Sequence, residues 1–136
     1  MKFSTKTRYG IRTMMEIAKS SKEGIFQKDI AKNQNISVKY LDHIIAPLKV
    51  AGLITNVHGR KSGYMLTTDP EEITVLDIHK AFEGGVHIVD CLEKINQCER
   101  RKTCTVQYFW MGLNNNIIEY LRKVTLRDLI TGEIAV

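Results

Sequence analysis

The sequence predicts a mainly α-helical fold with a small β wing: a winged helix-turn-helix unit followed by a long C-terminal helix. Three observations predict it. Residues 27–51 read as a short helix, a turn at Asn35-Ile36-Ser37 and a second amphipathic helix. Residues 53–67 hold two β-rich runs on either side of a glycine-flanked basic turn. From Thr105 onward, apolar residues recur at threes and fours for about five turns.

A chain of 136 residues is long enough to bury a core without disulfide staples. Its charge is divided unevenly. Residues 1–66 hold 12 Lys and Arg against 4 Asp and Glu, a net +8, whereas residues 67–136 hold 8 against 11, a net −3. The N-terminal half is therefore expected to face a polyanion, in preference to being a merely solvated basic surface. The first residues have no apolar signal segment, no uncharged run approaches a membrane span, and the cysteine count is odd, at 3. These features place the chain in a reducing cytoplasm, where clustered thiols signify metal, cluster or redox chemistry more often than a structural bridge. No enzyme is expected, since the sequence has no Cys-x-x-Cys pair, nucleotide loop or acid–base cluster.

Taken in order, Ser4 is positioned to cap a first helix whose apolar residues Ile11, Met14, Met15 and Ala18 share one face. Its other face carries Lys6, Arg8, Arg12 and Lys19, and cations near a helix N-terminus oppose its dipole, which hints at phosphate. The short helix is expected over roughly Gln27 to Gln34. Asn35 suits the left-handed turn and Ser37 is a ready cap. The second helix, Val38 to about Ala51, buries Leu41, Ile44, Ile45 and Leu48 and leaves Lys39, Tyr40, Asp42 and His43 at the end that would meet base edges. Pro47 is expected to bend or loosen it beyond that end. The wing follows as Leu53 to Val57, a flexible basic turn from His58 to Gly63, and a strand from Tyr64 to Thr67. His58, Gly59, Arg60 and Lys61 at its tip suit phosphate or groove contact.

After Asp69-Pro70, Thr74-Val-Leu-Asp77 reads as a capping box opening a helix through Phe82, ended by Gly84-Gly85. Ile73, Leu76, Ile78 and Phe82 read as core, and His79 as a surface or packed histidine. The long helix gathers Val106, Phe109, Trp110, Leu113, Ile117, Tyr120, Leu121 and Val124 on its apolar positions, so it needs a partner surface and is read as a dimerisation helix. Gly112 and Asn114-Asn-Asn116 weaken its middle. Thr125-Leu-Arg-Asp128 begins one more short capped helix. The expected organisation is residues 1–83 as the winged helix-turn-helix domain, 84–104 as a cysteine-bearing loop, and 105–136 as the pairing helix and C-terminal segment.

All three cysteines lie between the last two units, with the spacing Cys91-x6-Cys98-x5-Cys104. Three thiolates on a loop can wrap an iron–sulfur cluster that takes a fourth ligand from elsewhere, and Arg100, Arg101 and Lys102 would offset its negative charge. The same thiols could hold zinc with His87, act by thiol oxidation, or be inert.

Several of these segments together carry a resemblance. Lys2-Phe-Ser-Thr-Lys-Thr-Arg-Tyr-Gly10, Ile30-Ala31 with Ile36-Ser-Val-Lys-Tyr-Leu-Asp42, Ala51-Gly-Leu53, Val57-His-Gly59 with Gly63-Tyr64, Asp69-Pro-Glu-Glu-Ile-Thr-Val75 and Thr125-Leu-Arg-Asp-Leu129 resemble the Rrf2 family of bacterial winged-helix regulators over nearly the whole chain. The resemblance implies a cytoplasmic homodimeric regulator, of the repressor kind or its converse, on a double-stranded DNA operator. Lys39, Tyr40, Asp42 and His43 then fall where bases are read and His58 to Lys61 where the groove is contacted, with Lys28 and Ser37 completing the DNA-binding set. In the family's cluster-bearing members three cysteines precede the long helix, which implies an iron–sulfur cluster on Cys91, Cys98 and Cys104, of two-iron rather than four-iron type, that a purified preparation can lack. The usual fourth ligands are replaced: Gln107 stands at the expected histidine and Arg8 at the expected acid. Gln107 through its amide oxygen or His87 is the leading candidate, with a nearby carboxylate such as Asp90 or Glu93, or an exogenous ligand, as further options. Cluster-free relatives imply the alternative, the same regulator responding by thiol oxidation or by docking to a metabolic enzyme.

Overall fold

The computed structural model describes residues 2–20, 22–94 and 97–135, with the side chains of residues 60–62 outside that description. Helix α1, Thr5–Lys19, touches more of the other elements than any other helix and sits at the centre of the N-terminal domain. Ser4 opens it as expected, its Oγ accepting from the Thr7 N–H at 3.1 Å. Its buried face is Thr7, Gly10, Thr13, Met14 and Ile17, rotated from the apolar positions that periodicity selected; Ile11, Met15 and Ala18 are half-buried. Close approach of another helix explains the rotation. A Cβ on Gly10 would lie 2.3 Å from the Phe82 ring, so only glycine admits that contact.

Strand β1, Ile25–Phe26, leads into α2, Gln27–Gln34, and α3, Val38–Val50. The turn between the helices follows the sequence reading: Asn35 takes φ 54°, and Ser37 Oγ accepts from the Tyr40 N–H at 3.0 Å. Leu41, Ile44, Ile45 and Leu48 face the core. The expected loosening at Pro47 does not interrupt α3, because only its last turn lies beyond the missing donor and Leu48 anchors that turn in the core.

The wing departs from expectation at two places. It is three-stranded, ordered β1-β3-β2, with β2 at Ile54–Val57 and β3 at Arg60–Leu66. Two-residue β1 pairs Ile25 with Tyr64 and Phe26 with Gly63, too short a stretch to show any periodicity. The flexible basic turn at 58–63 is corrected to His58-Gly59 alone: Gly59 reverses the chain at φ 77°, so Val57 pairs with Arg60 and β3 begins there.

A 3-10 turn, Pro70–Glu72, precedes α4, Val75–Glu83. The segment read as a cysteine loop includes a one-turn helix, α5, Asp90–Glu93, after which come α6, Val106–Lys123, and α7, Leu126–Thr131. The capping box expected of Thr74 with Asp77 forms, and the capped turn expected at Thr125 is also a capping box, with Asp128. Their caps pair as an antiparallel bridge, with Val75 N–H donating to Val124 O at 2.9 Å and Leu126 N–H to Ile73 O at 2.8 Å. The main core joins α1, α2, α3, α4 and α7 through Met14, Ile30, Leu41, Ile44, Ile78 and Leu126. A smaller cluster, Val75, Leu76, Val86, Leu121 and Val124, seats the C-terminal part of α6. Among the described residues no helix is long and apolar enough to cross a membrane.

The close packing of the wing on residue 24 is testable. Gly24 has φ 83°, and a Cβ there would lie 2.7 Å from Tyr64 O, whereas Gly52 has φ 75° in open space. Gly52→Ala is expected to lower stability by about 1 kcal/mol through backbone strain alone, and Gly24→Ala by roughly 2–4 kcal/mol because steric conflict adds to it. Urea unfolding of both variants at equal protein concentration measures the difference; equal midpoints would deny the close contact.

Candidate nucleic-acid interface and cysteine site

At the start of α3, Lys39, Asp42 and His43 are exposed beside Val38, and these three are residue types that meet base edges and phosphates. Tyr40 is half-buried, its ring edge-on to Tyr9 at 5.7 Å. Ser37 accepts the helix bond through Oγ and keeps its own O–H to donate. Lys28 is exposed on α2, 5.8 Å from the Phe26 ring. His58 and Gly59 are exposed at the wing turn; the side chains of Arg60 and Lys61 lie outside the described residues, and their backbone belongs to β3. The cations of α1, Lys6, Arg8, Arg12 and Lys19, are all exposed, but Arg12 is held against α2. Its guanidinium donates to Gln34 Oε1 at 2.6 Å and Gln34 O at 3.1 Å while lying over the Tyr9 ring.

One residue of the head escaped the sequence reading. Gln27, buried at the first position of α2, donates through Nε2 to Asp42 Oδ1 at 2.5 Å and to Val38 O at 3.2 Å. Its Oε1 accepts from the Tyr64 hydroxyl at 3.3 Å. Burial, and then the Asp42 carboxylate, raise the Tyr64 phenol above its ordinary value, with a hydrogen bond to Asn56 opposing. No periodicity marks a polar residue at a helix start as buried, so only a tertiary partner could reveal it.

The cysteines are free, Cys91 exposed on α5 and Cys98 and Cys104 half-buried. Turn-like bonds wind the chain between the last two: Arg101 N–H to Cys98 O at 3.2 Å, and Cys104 N–H to Arg100 O at 2.8 Å. As a result Cys91, Leu92, Cys98, Arg101, Cys104 and Gln107 line one small cavity of about 20 Å³. Among the described residues, no three His, Cys, Asp or Glu side chains converge closely enough for a single metal ion. The thiols surround a space without meeting at a point. Gln107 Nε2 donates to Arg101 O at 2.8 Å, and because that partner is an acceptor, the amide nitrogen is assigned and Oε1 is the atom left for another ligand. His87 lies apart, exposed in a groove with Lys80, Asn114 and Arg122.

Two contacts tie this region to the rest of the fold. Asn114, buried in α6, accepts from Ile88 N–H at 3.0 Å and donates to Val86 O at 2.9 Å, so it clasps the segment leading to the cysteines. In the middle of α4, His79 is buried, with Nε2 3.3 Å from Gly85 O and Nδ1 3.5 Å from the Glu83 carboxylate. Burial would raise the Glu83 carboxyl, but the Ser4 bonds and His79 outweigh it and hold the group below its usual value. That carboxylate accepts from Ser4 N–H at 3.2 Å, joining α4 to the cap of α1.

The exposed surface of α6 carries a large apolar share beside the polar Asn115, Asn116, Glu119, Arg122 and Lys123. Val106, Tyr108, Phe109, Met111, Leu113 and Tyr120 are exposed, and of the helix only Asn114 and Leu121 are buried.

Residues 3–132 match the Rrf2 family, described as an iron-dependent transcriptional regulator. The chain is 37% identical to the HTH-type transcriptional regulator CymR of Bacillus subtilis over 95% of its own length and 89% of the relative's. The solved structure of that global cysteine regulator superposes with a TM-score of 0.78 at 36% identity, covering 96% of this chain and 97% of the other. The oxidized form of Staphylococcus aureus CymR is similar at 33% identity and a TM-score of 0.76, covering 100% and 99% of the two chains. T. potens IscR is similar at 32% identity and a TM-score of 0.76, covering 98% and 89%.

The Asn114 clasp predicts a site-specific stability loss. Asn114→Leu leaves one part-buried N–H and one buried C=O without partners and is expected to destabilise by roughly 2–4 kcal/mol. Asn115→Leu, at an exposed neighbour, is expected to change stability by less than about 0.5 kcal/mol. Denaturant midpoints of the two variants check this, and equal values would refute the clasp.

Proposed function

The chain belongs to the Rrf2 family of transcriptional regulators, and from that membership we propose a homodimeric regulator that reads a double-stranded operator and responds through an iron–sulfur cluster held by Cys91, Cys98 and Cys104. It is a DNA-binding regulator and not an enzyme. The observation that carries the cluster reading is the shared cavity, in which three free thiols and Gln107 surround one space beside Arg101. The donor set suits the group: thiolates are the usual protein ligands of such clusters, the Arg101 guanidinium offsets their charge, and Gln107 Oε1 is the fourth donor we assign in place of His87. When bound, the cluster supplies a redox- and ligand-responsive centre. The chain's own residues do the rest: the cysteines and Gln107 bind, and Asn114 holds the approach to the site against α6.

Reading is assigned to Lys39, Tyr40, Asp42 and His43, with Lys28, Ser37 and the wing residues His58 to Lys61 on the backbone or groove. The exposure of Lys28, Lys39 and His43 and the excess positive charge of residues 1–66 support it. Pairing is assigned to the apolar face of α6, since exposed Phe109, Met111 and Leu113 on a long helix need cover. A DNA partner places the protein in the cytoplasm.

A second reading keeps the DNA binding and replaces the cluster by thiol oxidation or docking to a metabolic enzyme. The similarity to CymR, a cysteine regulator also solved in an oxidized form, favours it.

Two outcomes are expected. A head neutralising about six phosphates loses roughly a thousandfold in affinity for its operator between about 50 and 200 mM salt; binding that is flat across that range contradicts the reading head. Protein purified without oxygen is expected to be coloured, with iron and sulfide in equal amounts, and Cys98→Ala to be colourless yet still dimeric. A colourless wild-type protein free of iron and sulfide would select the second reading instead.

A further inference from the structure

The reading carboxylate is not a free surface group. Asp42 Oδ1 accepts from Gln27 Nε2 at 2.5 Å, although the residue is exposed at the start of α3. An untethered aspartate on a helix surface samples several rotamers and is hydrated, so fixing it at a base edge costs entropy at the moment of binding. Here that ordering exists before DNA arrives.

The tether is itself held. The Gln27 amide is fixed at both ends, its nitrogen facing two acceptors, Asp42 Oδ1 and Val38 O, and its oxygen facing the Tyr64 hydroxyl. Gln27 is 8% exposed and Tyr64 6%, so neither side chain has water to fall back on. Tyr64 belongs to β3, where it pairs with Ile25 on one side and Asn56 on the other. The Tyr64 phenol is protonated at neutral pH and is the donor that Gln27 Oε1 requires. One continuous run of hydrogen bonds thus crosses from the wing through the first turn of α2 to the reading helix.

We propose that Gln27 is a positioning residue for sequence readout: held by Tyr64, it fixes Asp42 with Oδ1 occupied and Oδ2 presented to a single base donor, so that the head selects a cytosine at one operator position. A carboxylate only accepts, and in the major groove the acid pairs with the cytosine 4-amino group. Guanine offers acceptors at O6 and N7 and thymine at O4, each leaving the carboxylate desolvated without a partner, and the 6-amino donor of adenine stands between two acceptors, N7 and the thymine O4, that repel a carboxylate, whereas the cytosine amino group has an acceptor on one side only. The inference rests on the proposed DNA reading.

The experiment uses the full chain. Selection from randomised duplexes defines the preferred operator, and dissociation constants are then measured for all four bases at each position with wild type, Asp42→Asn, Gln27→Met and Tyr64→Phe. Asp42→Asn is expected to abolish the cytosine preference at one position, which identifies it. Gln27→Met is expected to weaken preference at that same position by about fivefold or more, while the salt slope and the affinity for unrelated duplex stay at wild-type values. Tyr64→Phe should produce a smaller loss at the same position. Uniform weakening across all positions, or an unchanged preference in Gln27→Met, overturns the proposal. Should Gln27→Met fail to fold by its thermal melt, Tyr64→Phe decides, and an unaltered preference there overturns it equally. If wild type enriches no sequence at all, the DNA reading itself falls and the inference with it.

Discussion

The antiparallel bridge between Thr74 and Thr125 is the constraint on which the arrangement of this chain depends. It is made by two helix caps, each already ordered by its own capping box, so the chain end is drawn back to the start of α4 by backbone groups that would otherwise be orphaned donors and acceptors. The consequence falls on α6. Its C-terminal end is fixed to the reading domain by the bridge and by Leu121 and Val124, and its middle by Asn114. Among the described residues the first two turns are held by the Gln107 bond to Arg101 O and by no buried side chain, and they stand next to the cysteine cavity.

That layout fits a regulator whose signal enters at the root of a pairing helix. Cys104 and Gln107 bracket the start of α6, and Cys91 and Cys98 follow the segment that Asn114 clasps. A group bound among them would bias both the entry of α6 and the segment 86–94. Such a ligand shifts operator affinity only by the difference in its affinity for the DNA-competent and other arrangements. The reading head, by contrast, is internally rigid: Arg12 ties α1 to the end of α2, and Gln27 ties α2 to α3 and the wing. In the proposed dimer, a change at the helix root would therefore reach DNA through the placement of two whole heads.

Local chemistry made much of this legible in the sequence. Ser4, Asn35, Ser37, Thr74 and Thr125 mark boundaries because each satisfies a backbone need that any helix end has, whatever surrounds it. Leu41, Ile44, Ile45 and Leu48 mark a face because α3 has one solvent side. Non-local facts were not legible. The α1 face turned toward Gly10 because Phe82 approaches it, and β1 exists because β3 offers an edge. The short wing turn depended on register. In the site, spacing grouped the three thiols, but Gln107 and His87 were equal candidates until the fold put Gln107 at the thiol cavity and His87 in another groove. Gln27 and Asn114 were illegible for one reason: each is a polar side chain buried by a distant partner.

The central claim is that the cysteine site and the reading head are energetically coupled. Its most direct measurement is the ratio of operator dissociation constants for iron- and sulfide-loaded protein and for the same preparation stripped by a chelator, both without oxygen and at one salt concentration. The account predicts a ratio different from one by about fivefold or more, in the range of ordinary allosteric coupling. Equal constants in protein shown to carry iron and sulfide would contradict it.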